Sequence, residues 1–218
     1  MNNATFFFNQ PKNEPVLSYA KGSKERELLS KELEKQYNQC IEIPIIINGK
    51  EIRTGNVSEV VMPTEHSHVL AKFHKADKET VQKAIESALE ARKKWENVHW
   101  IDRCSIMLRA AELLAGKYRY VINAATMLGQ GKNPFQAEID SACETIDFLR
   151  FNVHYASKIY AQQPLSDNSA INRLEYRGLE GFVYAISPFN FTSIACNLNI
   201  SPVLMGNVTV WKPATTAV

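Results

Sequence analysis

Gly181-Phe182-Val183-Tyr184-Ala185-Ile186-Ser187-Pro188-Phe189-Asn190-Phe191-Thr192, followed downstream by Val208-Thr209-Val210-Trp211-Lys212-Pro213, is the stretch that decides the fold. Residues 181–187 and 208–211 are nearly continuous apolar runs of strand length, and Thr192 to Leu204 between them is compatible with a helix. Buried strand, helix, buried strand is the signature of a parallel βαβ unit, since parallel strands need a long crossover connection. At each strand end a proline removes a donor and fixes φ, which holds the neighbouring polar residue at the edge of the sheet. Ligands of open parallel sheets bind outside the carboxyl ends of the strands, so Ser187 to Thr192 and Lys212 to Thr215 are the places to search. Asn190 offers a neutral N–H donor, the alternative for an Asn there being to cap the following helix. Lys212 offers a mobile cation with three donors.

Upstream the pattern is mostly helical. Residues 1–22 read as an extended arm, with Pro11 and Pro15 and no periodicity. From Lys24 to Gln36, Leu28, Leu29 and Leu33 recur at helical spacing, and Glu27 and Lys31 form a surface pair. Ile43 to Ile47, then Asn48-Gly49, then Ile52, reads as a hairpin, because Asn-Gly tolerates the positive φ of a two-residue turn. Asp77 is placed to cap a helix whose apolar face is Val81, Ala84, Ile85, Ala88, Leu89 and Trp95. Further helices are expected over Asp102 to Ala115 and over Lys117 to Leu128, the latter stopped by Gly129. Pro134 suits the first turn of a long fourth helix with the stripe Ile139, Ala142, Ile146, Leu149 and Val153. After Pro164 the alternation of Ile171 to Arg177 suits a strand with one exposed face. The division expected is therefore an arm (1–22), a helical part (23–163), a short strand-bearing element (164–180) and a βαβ unit (181–218).

Composition narrows the partners. The 218 residues are 45% hydrophobic and 22% charged, ordinary globular usage. A net charge of +2 provides no basic field for a phosphate backbone, so nucleic acid is not an expected partner. No run approaches the roughly 18 apolar residues of a membrane span, so the expectation is a soluble protein with no membrane partner. The first twenty residues hold Phe6, Phe7 and Phe8 but no Arg and only Lys12, and neither a secretory nor an Arg-rich transit segment is readable there. Cys40, Cys104, Cys143 and Cys196 form no CxxC pair and read as reduced thiols.

Other motifs fall away. Gly129-Gln130-Gly131-Lys132 lacks the first glycine of a phosphate loop and the Ser or Thr after the Lys, and reads as a helix stop and turn. His66 and His68 could share a strand face, but no third ligand sits at zinc-like spacing, so no metal is expected. Cys196 falls inside the crossover helix, where a thiol is usually a small core residue. Ser187 lacks a hydrolase elbow.

Ser187 to Thr192 together with Trp211-Lys212-Pro213 resembles two signatures of the aldehyde dehydrogenase superfamily. Leu128 to Lys132, Gln136 to Asp140, Phe148 to Asn152 and Tyr176 to Phe182 are similar to its Δ1-pyrroline-5-carboxylate dehydrogenase branch, as are Phe189 and Thr192. The resemblance runs from about Glu14 to the end of the chain. It implies an α/β fold: an incomplete Rossmann-type NAD-binding domain with N-terminal helices, and Ile171 to Arg177 as the first strand of an oligomerisation element. It also implies NAD-dependent oxidation of L-glutamate γ-semialdehyde to L-glutamate, in a homo-oligomer commonly of the mitochondrial matrix, the cytoplasm being the alternative. By position, Asn190 would stabilise the oxyanion, and Lys212 and Ser187 would flank the adenosine ribose of NAD. Phe191 and Glu144 would border the aldehyde passage. Where many relatives carry an acidic residue after the Lys, this chain has Ala214, Thr215 and Thr216, which leaves NAD against NADP open. The family's nucleophilic Cys is expected beyond Val218, so these residues alone should be inactive. The rival reading is a truncated, catalytically inactive binding or oligomerisation module of the same family.

Overall fold

The computed structural model describes residues 5–217. Helix α1 (Lys24–Tyr37) starts where Ser23 Oγ accepts the Arg26 N–H, and the Glu27–Lys31 pair closes at 2.6 Å. Pro44 then separates two short strands, β1 (Ile41–Ile43) and β2 (Ile45–Ile47). Strand β2 turns through Asn48 and Gly49, both at positive φ, into β3 (Lys50–Ile52), so the hairpin is as expected. Two further strands, β4 (Val57–Met62) and β5 (Glu65–His74), lie in the segment read as helical. β5 is the middle of a three-stranded sheet, antiparallel to β4 and parallel to β1. The β-branched run Val57 to Val61 and the turn-forming Pro63-Thr64 were the available signal.

Helices α2 (Lys78–Trp95), α3 (Trp100–Ala115) and α4 (Arg119–Gln130) follow, with Asp77 capping α2 as expected. Helix α4 runs through Gly129 and stops two residues later at Gly131, whose left-handed φ of 66° is the backbone state a glycine adopts freely. The fourth helix is in three parts: α5 (Pro134–Ala137), a π-helical turn (Glu138–Cys143) and α6 (Glu144–Tyr160). Ala142, Ile146, Leu149 and Val153 from its stripe form the core with Cys104, Met107 and Ala111 of α3. The chain ends in the βαβ unit β6 (Val183–Ile186), α7 (Thr192–Leu204) and β7 (Thr209–Lys212), its strands parallel. Helix α7 adds Leu204 to the same core.

Two further expectations differ from the structure. Ile171 to Arg177 forms no strand, because no strand among the described residues lies beside it to complete a ladder. Strand β6 is covered on one face only: Ala185 is buried, whereas Tyr184 and Ile186, on the opposite face, are 56% and 58% exposed.

The arm is held by side chains, not by periodicity. Arg119 of α4 and Glu138 of the π turn form a buried ion pair, and Tyr19 and Asn123 donate to Glu138 Oε2 at 2.6 and 2.7 Å. The Leu17 N–H donates to Glu138 Oε1 at 2.9 Å, and the Glu14 carboxylate bridges Arg119 and Arg150, each at 2.5 Å. Burial by itself would raise the Glu138 carboxyl, but hydrogen bonds from Arg119, Tyr19 and Leu17 outweigh it and hold the group below its ordinary value of 4.5. A carboxyl depressed in the folded state contributes stability above its unfolded value and loses that contribution as pH falls. Glu138→Gln is therefore expected to lower the unfolding free energy by about 3 kcal/mol at neutral pH. In thermal unfolding followed by circular dichroism, the gap between wild type and variant should narrow below pH 4.5; a gap independent of pH would contradict the assignment.

Candidate functional site

The two strand tips lie side by side. Ile186 stands opposite Lys212 in the ladder, and the Ser187 N–H donates to Lys212 O at 3.3 Å. Ser187 is buried, and its Oγ accepts the Trp211 indole N–H at 3.0 Å, which fixes the hydroxyl at the rim between the strands. Lys212 and Asn190 are both exposed at this end of the sheet. The ladder thus brings together three of the expected residues: Ser187 and Lys212 directly, and Asn190 on the turn that leaves β6.

Asn190 does not cap the next helix. The residue at the N-cap of α7 is Phe191, 38% exposed, which has no side-chain acceptor for the helix's first N–H groups. The cap comes from the π turn. Asp140 Oδ2 accepts the Thr192 N–H at 3.3 Å, and Asp140 Oδ1 accepts the Ser193 N–H at 3.4 Å. Ser193 Oγ lies 2.7 Å from Glu144 Oε2 and 3.1 Å from Asp140 Oδ1. Glu144 is half-buried and joined to α7 three residues after Asn190. Two carboxylates at a helix N-terminus also suit its positive dipole end. Thr192 Oγ1 completes the junction, 2.8 Å from Thr126 Oγ1 and accepting from Gln130 Nε2 at 2.8 Å.

Sequence reasoning missed Asp140 and Lys132. Lys132 Nζ lies 2.5 Å from Asp140 Oδ2 and 2.6 Å from Asn190 O, and 4.5 Å from the centre of the Phe191 ring. Asp140 and Lys132 come from the π turn and the turn after α4, so no spacing in the sequence relates them to residues near 190. The helix stop expected at Gly129 falls instead at Gly131, and Lys132 follows it directly.

None of the four thiols is a nucleophile at the tips. Cys104 and Cys143 are buried, and burial first of all pushes their thiols up to about 11 and about 12. Cys196 lies in α7, where burial pushes its thiol up to about 11. Cys40 is exposed, immediately before β1. His68 stacks on Tyr37 with ring centres 4.1 Å apart, and among the described residues no three His, Cys, Asp or Glu side chains gather as metal ligands.

Comparison with known proteins adds a family. Residues 51–218 match the model of the aldehyde dehydrogenase family. The chain is 53% identical over 216 residues to the Delta-1-pyrroline-5-carboxylate dehydrogenase of Agaricus bisporus, covering 98% of this chain and 40% of that protein. Against the human mitochondrial protein of the same name, identity is 51% over 205 residues, covering 94% of this chain and 36% of the relative. The crystal structure of the Delta-pyrroline-5-carboxylate dehydrogenase of Mycobacterium tuberculosis bound with NAD superposes with a TM-score of 0.95 at 46% identity, covering 99% of this chain and 41% of that one. The chain thus spans about 40% of the length of the first relatives it matches.

The burial of the thiols makes a direct check. With an aromatic disulfide reagent near neutral pH, Cys40 should react at once, the half-buried Cys196 more slowly, and Cys104 and Cys143 only after denaturation, and Cys40→Ser should remove the fast phase. A second fast thiol in that variant would mean that α7 or the core is more open than described.

Proposed function

Because the chain belongs to the aldehyde dehydrogenase family, we propose that it supplies the oxyanion donor and the ribose-binding tip of an NAD-dependent enzyme that oxidises L-glutamate γ-semialdehyde to L-glutamate. The observation that carries the reading is the pairing of the tips, with Ile186 opposite Lys212 and Ser187 bonded to the Lys212 carbonyl. It sets an amide donor and an ammonium at the same end of one parallel pair. About half-identity to relatives named for that chemistry supports the substrate class.

Each residue then has a task. The Asn190 side-chain N–H donates to the oxygen of the aldehyde as a thiolate adds to its carbon and negative charge collects there. A donor fixed in advance serves that charge best, because nothing has to reorganise as it develops. The donor set at the rim fits a ribose: an exposed ammonium with three protons to give at one strand tip, and at the neighbouring tip a serine hydroxyl held by an indole. Lys212 binds the adenosine ribose hydroxyls, with Ser187 at the opposite lip. NAD, when bound, accepts the hydride. Phe191 flanks the aldehyde, and Glu144 borders its passage. The thiolate is not among this chain's own cysteines, so these residues orient and stabilise while the nucleophile comes from elsewhere in the enzyme.

The relatives named mitochondrial support a place in the matrix. Segment 164–180, where Leu165, Ile171 and Leu179 are 94%, 68% and 69% exposed, is the surface we assign to homo-oligomerisation.

The test grafts these residues onto the remaining segment of the Agaricus relative. The graft should reduce NAD with the semialdehyde, while this chain alone should not. Asn190→Ala should lower kcat by roughly a hundred- to a thousandfold. Lys212→Ala should raise KM for NAD by roughly ten- to a hundredfold, the scale of a lost charged hydrogen bond. An Asn190→Ala graft with unchanged turnover would sink the oxyanion assignment, and a graft that folds but never turns over would favour the non-catalytic module.

A further inference from the structure

We infer that Lys132 is a positioning residue for the oxyanion donor, acting through the turn that carries Asn190; the inference rests on the reading of Asn190 given above. That turn is exposed from Pro188 to Phe191. Pro188 and the 64%-exposed Phe189 precede Asn190, whose own side chain is open to solvent, and Phe191 cannot cap the helix that follows. Left to itself, such a connection between a strand and a helix would sample several positions of the amide, and a preorganised donor would be lost.

One ion pair prevents this. Lys132 and Asp140 meet at 2.5 Å, with only 17% and 4% of their side chains exposed, and between them they hold four consecutive residues. Lys132 donates to the Asn190 carbonyl at 2.6 Å and lies 4.5 Å from the Phe191 ring centre. Asp140 receives the N–H groups of Thr192 and Ser193. The cation thus grips the turn on the side of its carbonyl and aromatic ring, and the anion on the side of the helix start. Each charge has the other as partner, so the clamp is neutral and can stay largely buried without an unpaired ion. An ammonium is suited to the task as a compact donor that can serve a carboxylate and a carbonyl together; a planar guanidinium would need a different fit.

A double-mutant cycle in the grafted enzyme tests the inference. Lys132→Met is expected to lower kcat roughly ten- to a hundredfold, the scale of a small misplacement of a reacting group, with KM for NAD unchanged. Lys132→Arg should recover part of the loss. On the Asn190→Ala background the same Lys132→Met change should cost less than about twofold, because the group it positions is already gone. Losses that multiply in full would overturn the inference. In this chain alone, hydrogen exchange of the Thr192 and Ser193 amides, which Asp140 accepts, should rise at least about tenfold in Lys132→Met, while the amides of α6 keep their protection. A rise shared equally by α6 would mean general loosening and would also overturn it. If Asn190→Ala is crippled and Lys132→Met turns over normally, this inference alone falls. If Asn190→Ala is itself unaffected, the functional reading falls with it.

Discussion

The buried pair of Arg119 and Glu138 is the interaction on which the rest of the chain is arranged. Neither charge is tolerable alone in the interior, since removing an ion from water costs several kcal/mol that only close partners can offset. Each is therefore surrounded: Glu138 by Arg119, Tyr19, Asn123 and the Leu17 N–H, and Arg119 by Glu138, Glu14 and the Pro15 carbonyl. Those partners come from the arm, α4 and the π turn, which have little in common in sequence. Satisfying one charge pair thus brings three separate segments together and ties the arm to the helical layer.

The π turn is the means by which one helix serves both this pair and the strand tips. A π-helical turn inserts an extra residue and shifts the faces that follow it, and such turns are found often at functional sites. Here Glu138, Asp140, Ser141, Ala142 and Cys143 are all buried within a single six-residue stretch. Glu138 faces the arm and α4, while Asp140 reaches the start of α7. Ser141 donates within reach of the Ala137 carbonyl and of Asn123, so the turn is itself tied to α4. From one side the turn organises the charged centre. From the other it supplies the cap that frees Asn190 from capping α7.

Much of the fold was legible because short-range rules govern it. The Asn-Gly hairpin, the Asp77 cap, the βαβ unit and the apolar stripe of the fourth helix, Ile139 excepted, follow from turn chemistry or periodicity and are present. Illegible features depend on a neighbour. Ile171 to Arg177 alternates like a strand, yet a strand exists only where another lies beside it to accept its hydrogen bonds. Tyr184 and Ile186 read as buried because hydrophobicity cannot reveal which face of a sheet is covered. Strands β4 and β5 escaped because their mixed, partly exposed surfaces carry weak alternation beside stronger helical signals.

For the site the division is similar. Sequence alone determined the chemistry on offer at the strand ends, Ser187, Asn190 and Lys212, since a proline after an apolar run marks where a strand stops and which polar residue stands there. It also determined that two such ends belong to one parallel pair. Tertiary structure decided everything that depends on distance between remote segments: that the Trp211 indole holds Ser187, that Asp140 and Glu144 attend the start of α7, and that Lys132 grips the Asn190 turn. The reason is physical. Backbone propensities act over a few residues and leave their mark in local pattern, whereas a charge finds its partner through space, and only the packed chain shows which one it has found.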